Sequence, residues 1–185
     1  MTSERELKLP VEDRVALRRC LRERGADLVH EESFENNLVW DRGGELAAAG
    51  RLLRLRIDGQ GARLTWKGPA SFEGGLKIRT EHETFVGDVD EMAAILESLG
   101  YELVRRYEKY REEWQLDEVI IAVDRTPIGD FVEFEGKGAV DVATGCGFDP
   151  AGALRASYLA LYEEHRRRHA GASRDMVFPA EREHG

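Results

Sequence analysis

What most constrains this chain is an alternation of period two that places charge on one face of strand after strand. Side chains at i and i+2 of a β-strand point the same way. Glu4, Glu6 and Lys8 therefore share a face, as do Arg54 with Arg56, and Thr65 with Lys67. Lys77, Arg79, Glu81 and Glu83 line one side of a longer stretch. Lys109, Arg111 and Glu113 line another, and Glu133 with Glu135 a sixth. A sheet wetted on one side produces any one such pattern. Two features point elsewhere. The faces sort by charge type, Glu-x-Glu on some and Arg or Lys on others. Glu133 and Glu135 also stand among Phe131, Val132 and Phe134, in a strand that reads as central.

If the strands close into a barrel, these faces converge on a polar lumen. Packing like charges together there is costly on its own. Packing carboxylates and cations around a metal–polyanion complex is not. Carboxylate oxygens are the hard ligands that Mg²⁺ or Mn²⁺ prefers, and Arg and Lys are the usual partners of phosphate oxygens. The combination reads as a metal-assisted phosphoryl-transfer site.

The remaining elements follow from local signals. A strand over Thr2–Leu9 leads to a helix opened by Pro10, with an apolar stripe of Val11, Val15, Leu17, Cys20 and Leu21, and ended by Gly25. Strand-like segments follow at 28–41, 52–57, 63–67 and 76–86, with Asp58-Gly59 as a hairpin turn and 72–75 as a loop. Asp88 caps a second helix that ends at Gly100. Strands at 102–116, 119–124 and 131–135 come next, then a Gly-rich loop over 136–147. Asp149-Pro150 opens a third helix that buries Leu154, Tyr158, Leu161 and Tyr162. Glu4-x-Glu6, a helix and strands are echoed by Glu81-x-Glu83, a helix and strands, which suggests two similar halves. Without regular βαβ alternation, an antiparallel sheet or closed barrel with a few helices is expected.

Lys+Arg 27 against Asp+Glu 36 leaves a net charge of −9, which argues against a nucleic-acid binder. No run of about 18 apolar residues exists to cross a membrane. The charged stretch 1–8 predicts no secretory signal. Cys20 and Cys146, far apart, suit a reduced, cytoplasmic protein. The histidines show no metal-ligand spacing, and Arg166-Arg167-Arg168 reads as a solvated helix end. One domain is expected over 1–170, with a polar tail over 171–185.

Glu4-Arg5-Glu6-Leu7-Lys8 resembles the E-x-E-x-K signature of the CYTH superfamily, the triphosphate tunnel metalloenzymes. Further motifs follow in the family's order: residues 34–41 ending in Asp41, Leu53-Arg54-Leu55-Arg56, Trp66-Lys67-Gly68, Lys77-Ile78-Arg79-x-Glu81-x-Glu83, Lys109-x-Arg111, and Asp124 through Gly136. One departure is Val39-Trp40, where a tyrosine often stands. The resemblance implies an α+β fold, a closed eight-stranded antiparallel tunnel with flanking helices. It implies Mg²⁺ or Mn²⁺ on Glu4, Glu6, Glu133 and Glu135, with Glu81 and Glu83 helping and Asp124 serving the metal or shaping a turn. It implies a triphosphate held by Lys8, Arg54, Arg56, Lys67, Arg79, Lys109 and Arg111, with Lys77 outside the core set. Glu4, Glu6 and Lys8 carry the catalytic expectation.

The leading expectation is hydrolysis of tripolyphosphate, a nucleoside triphosphate or thiamine triphosphate. A class IV-type adenylyl cyclase, making cyclic AMP and pyrophosphate from ATP, uses the same grip. A non-catalytic polyphosphate-binding module is a third reading. Trp40 and Trp66 are candidates to stack on an organic group, although core packing is the commoner fate of such residues. A homodimer is the default expectation for assembly.

Overall fold

The computed structural model describes residues 2–179. Nine strands are joined only by antiparallel pairings: β1 (Thr2–Val11), β2 (Asp27–Asp41), β3 (Leu52–Asp58), β4 (Gly61–Lys67), β5 (Ser71–Glu73), β6 (Leu76–Val86), β7 (Glu102–Leu116), β8 (Val119–Thr126) and β9 (Gly129–Gly136). Eight close into a barrel in the order β1-β9-β8-β7-β2-β3-β4-β6, and β6 returns to β1. The short β5 adds to one edge of β6. Exchanging β1–β4 for β6–β9 maps this order onto itself, so the two similar halves expected from sequence form a symmetric ring.

The barrel is polar within and apolar without. Leu7 and Leu9 alternate with Glu6 and Lys8 and face outward, under α1 (Arg14–Glu23) and α4 (Ala139–Gly145). Trp40, Leu53 and Leu55 likewise face out, with Leu96 of α3 (Val89–Ser98) in their cluster. Trp40 is thus a core residue, and Trp66 stacks on His82 beside the same cluster. A third cluster joins Val39, Tyr107 and Phe131 to Tyr158 and Tyr162 of α5 (Tyr158–Arg168) and to Met176. By strand parity Val39, Tyr107 and Phe131 point inward. α5 therefore caps one end of the barrel. A one-turn helix, α2 (Glu45–Ala48), links β2 to β3.

Three local expectations need correction. Pro10 does not open a helix: β1 runs on to Val11, paired with β9 alone, because the β6 pairing stops at Glu6. A missing N–H is tolerable on such an edge. The helix starts after Asp13, whose side chain accepts from Val15 N and Ala16 N. The segment 136–147 is not a loop, since Ala139, Val142 and Ala143 form the buried stripe of α4. Asp149-Pro150 starts only a 3₁₀ turn, and the helix proper begins after Ser157, which accepts from Ala160 N. Residues 180–185 of the expected tail lie outside the described residues. Within 171–179, Met176 is buried, bridges to Tyr107 and accepts from Glu108 N. No helix is long and apolar enough to cross a membrane among the described residues.

Candidate functional site

The lumen is a cavity of about 710 Å³. All the candidate metal- and triphosphate-binding residues named from sequence line it except Asp124, which lies in the wall behind, whereas Trp40 and Trp66 do not line it. Strand register sets their order. Lys8 lies opposite Glu133, Glu6 opposite Glu135, Glu4 opposite Arg79, and Lys67 opposite Glu81.

The basic wall is built around buried anions. Arg111 forks onto Asp124, Nε to Oδ1 and Nη2 to Oδ2, both at 2.6 Å, and also reaches Glu133. Lys109 Nζ lies 3.1 Å from Asp124 and 3.3 Å from Glu35. Lys8 Nζ lies 3.1 Å from Glu133. Burial disfavours each cation, but the neighbouring carboxylates more than offset it, so Lys8 and Arg111 are pushed above their ordinary values. Lys8 is thus a fixed cation at neutral pH. Burial likewise works against the Glu133 carboxylate, yet Lys8, Arg111 and Lys109 hold it well below its usual range. Arg54 reaches Tyr107 Oη at 3.3 Å and Thr65 Oγ1 at 3.4 Å, and Arg56 lies between Glu35, Asp58 and Glu83. The Nε groups of Arg54 and Arg56 are buried with no hydrogen-bond partner, as is the whole amide of Asn37 on the facing strand β2.

The opposite wall is rich in carboxylates. Lys67 Nζ bridges Glu4 at 2.9 Å and Glu81 at 2.8 Å, and Lys77 Nζ lies 2.6 Å from Glu6. Glu4 and Glu81 thus share one ammonium group. Burial, with Glu81 nearby, keeps Glu4 protonated above its ordinary range. Burial and the charges of Glu4, Glu6 and Glu81 push Glu135 up to about 7, although Lys67 opposes them. Like charges face each other where Glu6 meets Glu135, an unfavourable cross-strand pair. Glu83 stands apart, bonded by Thr65 and near Arg54, Arg56 and Arg63. Arg79 turns to the backbone, donating to Gly68 O at 2.6 Å and Gly50 O at 3.1 Å, and so ties two loops at the cavity rim.

Three inward-facing residues went unnamed as site residues in the sequence, among them Glu35, which lines a smaller cavity of about 230 Å³ that shares Arg56, Glu83 and Arg111 with the lumen. Glu35 is 3% exposed, and although burial opposes its charge, Lys109, Arg111, Arg56 and Arg54 hold its carboxyl down at about 2. Its signal was parity with Asn37 and Val39 on β2, where the eye goes to the Asn pair and Trp40. Lys77, set aside in the sequence, is in the cavity. Tyr158 enters from α5, and its spacing marked only a buried helix face.

The family model for the CYTH domain matches residues 2–143. No curated protein matches the chain. Similar solved structures include a putative adenylate cyclase of Vibrio parahaemolyticus, with TM-score 0.78, 22% identity, and coverage of 86% of this chain and 97% of that one. The PH1819 protein of Pyrococcus horikoshii has TM-score 0.71 and 24% identity, over 88% of this chain and 99% of that one. A putative adenylyl cyclase of Hippeastrum has TM-score 0.64 and 17% identity, over 88% and 96%. At these identities the neighbours establish the architecture, an antiparallel tunnel. With a domain match that spans most of the sequence and a lumen built from the same ordered motifs, this chain belongs to the CYTH domain family.

Proposed function

We propose that the chain is a divalent-metal-dependent phosphohydrolase acting on a triphosphate. The observation that carries this is the divided lumen, with a basic wall on one side and crowded carboxylates on the other. Among the described residues no three acidic, His or Cys side chains form a ready-made metal cage. The donor chemistry nevertheless fits a hard cation. The Glu4 carboxyl, raised by burial, and the Glu135 carboxyl at about 7 mark a cluster whose buried negative charge Lys67 and Lys77 do not fully offset. Glu4, Glu6, Glu81 and Glu135 are the proposed ligands, with Glu133 and Glu83 held closer to the basic residues. Asp124, its oxygens engaged by Arg111, Lys109 and Tyr158, orients those groups rather than binding metal.

Mg²⁺ or Mn²⁺ would supply charge neutralisation and activation of water. The chain's own groups do the rest. Arg54, Arg56, Lys109 and Arg111 hold the phosphate oxygens, and Lys8, charged at neutral pH, stabilises the negative charge that develops rather than accepting a proton. Lys67 and Lys77 hold the carboxylates in place until substrate enters. The buried walls exclude bulk water, so positioning and electrostatics supply most of the rate gain. The cavity, of about 710 Å³, is also lined by Gly50, Arg51, Leu52 and Leu159, which carry no phosphate-binding role here, so a nucleotide is a second candidate substrate and cyclisation a second candidate reaction. The Hippeastrum neighbour is itself described as a putative adenylyl cyclase with a dominant triphosphatase activity.

The test is to incubate the protein with tripolyphosphate, ATP and thiamine triphosphate, each with Mg²⁺ or Mn²⁺, and to assay phosphate and cyclic AMP. Phosphate release without cyclic AMP, abolished in a Glu133→Gln, Glu135→Gln double variant, is the expected result. Cyclic AMP with pyrophosphate would replace hydrolysis by the cyclase reaction. Metal-dependent binding with no turnover would leave a binding module.

A further inference from the structure

The CYTH match ends at residue 143, yet the lumen is completed by a residue beyond it. Ser157 caps α5, and the next residue, Tyr158, enters the capped end of the barrel. Its hydroxyl donates to Asp124 Oδ2 at 2.6 Å. Its ring centroid lies 4.0 Å from Lys8 Nζ and 5.5 Å from Lys109 Nζ. We infer that Tyr158 is a positioning residue of the triphosphate site, holding Lys8 through its ring and the Lys109–Arg111 pair through Asp124, an inference that rests on the proposed function.

The physical reason lies in what each contact leaves free. A carboxylate holds a lysine by accepting its N–H groups, and those are the groups a phosphate must receive. An aromatic face holds the same ammonium through its quadrupole and occupies no single N–H donor. Lys8 is 4% exposed and has one short carboxylate contact, Glu133. The ring restrains the remaining motion while the donors stay available. Asp124 presents the complementary problem. It is fully buried and serves Arg111 and Lys109. The tyrosine hydroxyl satisfies part of Oδ2 without adding another cation, and so fixes the carboxylate plane onto which Arg111 forks. Burial, then the charges of Asp124 and Glu133, hold the phenol well above its ordinary value, so it stays a donor. Phe131, edge-on at 5.4 Å, and the anchoring of Tyr162 Oη to Ser173 O and Asp175 O fix the ring's approach.

The two functions separate by substitution. Tyr158→Phe keeps the ring and removes the hydroxyl, whereas Tyr158→Leu removes both. With tripolyphosphate and Mg²⁺, Tyr158→Phe should raise KM by roughly 3- to 10-fold with kcat within about 2-fold, since a misaligned fork weakens ground-state grip. Tyr158→Leu should also lower kcat by about 10-fold or more. Resonances of the Lys8 side chain, recorded by NMR without substrate, should carry a ring-current shift in the wild type and Tyr158→Phe and lose it in Tyr158→Leu. A merely structural role would lower melting temperature and active fraction in both variants while leaving KM unchanged. That pattern, or wild-type kinetics in Tyr158→Leu, overturns the inference while the proposed function stands. A wild type that neither binds nor cleaves a triphosphate removes the proposed function, and this inference with it.

Discussion

Glu135 shows most clearly what single side chains contribute here. Its carboxyl is pushed up to about 7, first by burial and then by Glu4, Glu6 and Glu81. The folded metal-free protein therefore binds that proton more tightly than the unfolded chain, whose ordinary value is 4.5. The resulting stabilisation is full below that ordinary value and is lost as pH rises through the folded one. Metal-free wild type should thus lose roughly 5–10 °C more of its melting temperature between about pH 5 and pH 8 than Glu135→Gln does. Added Mg²⁺ should remove the difference by taking the proton's place. Parallel melting curves for the two proteins in chelator would show that the carboxylates are not crowded as described. Glu133 behaves in the opposite sense, two residues along the same strand, because Lys8 and Arg111 face it. Alternation set both carboxylates inward, but only the facing strands made one acidic and the other nearly neutral.

The elements that carry the site were those best marked in the sequence. Period-two charge identified six of the eight barrel strands, because a polar lumen forces alternation whatever the neighbours are, while β2 and β8 were read from their apolar residues. The caps at Asp88 and Gly100 marked α3 for equally local reasons. What stayed hidden depended on partners distant in sequence. Pro10 reads as a helix opener until the β6 pairing is seen to stop short of it. The α4 stripe was masked by the glycines around it. Glu35 meets Lys109 only through the pairing of β2 with β7, and Tyr158 reaches the lumen only through the docking of α5. Gly136 is a glycine that the β8–β9 hairpin requires. Its φ is +118°, and a Cβ there would meet Glu118 O at 2.3 Å. Gly136→Ala should cost about 2–4 kcal/mol in a urea melt, displacing the strand end that carries Glu135. A loss below about 0.5 kcal/mol would mean that the turn accommodates a side chain.

At the scale of the molecule, an acidic protein of net charge −9 places Lys8, Arg54, Arg56, Lys67, Lys109 and Arg111 inside its barrel. The apolar faces that would ordinarily form an interior are turned outward and covered by α1, α3 and α4. Such an inversion is costly unless a ligand uses it. The ligand proposed to use it is a triphosphate together with divalent cations. Calorimetric titration of tripolyphosphate into the protein, with Mg²⁺ or Mn²⁺ and then with chelator, tests this most directly. One binding event per chain is predicted, weakened about 10-fold or more by chelator and by a Glu4→Gln, Glu6→Gln double variant. Binding of equal strength with and without metal, or no binding at all, would contradict the account.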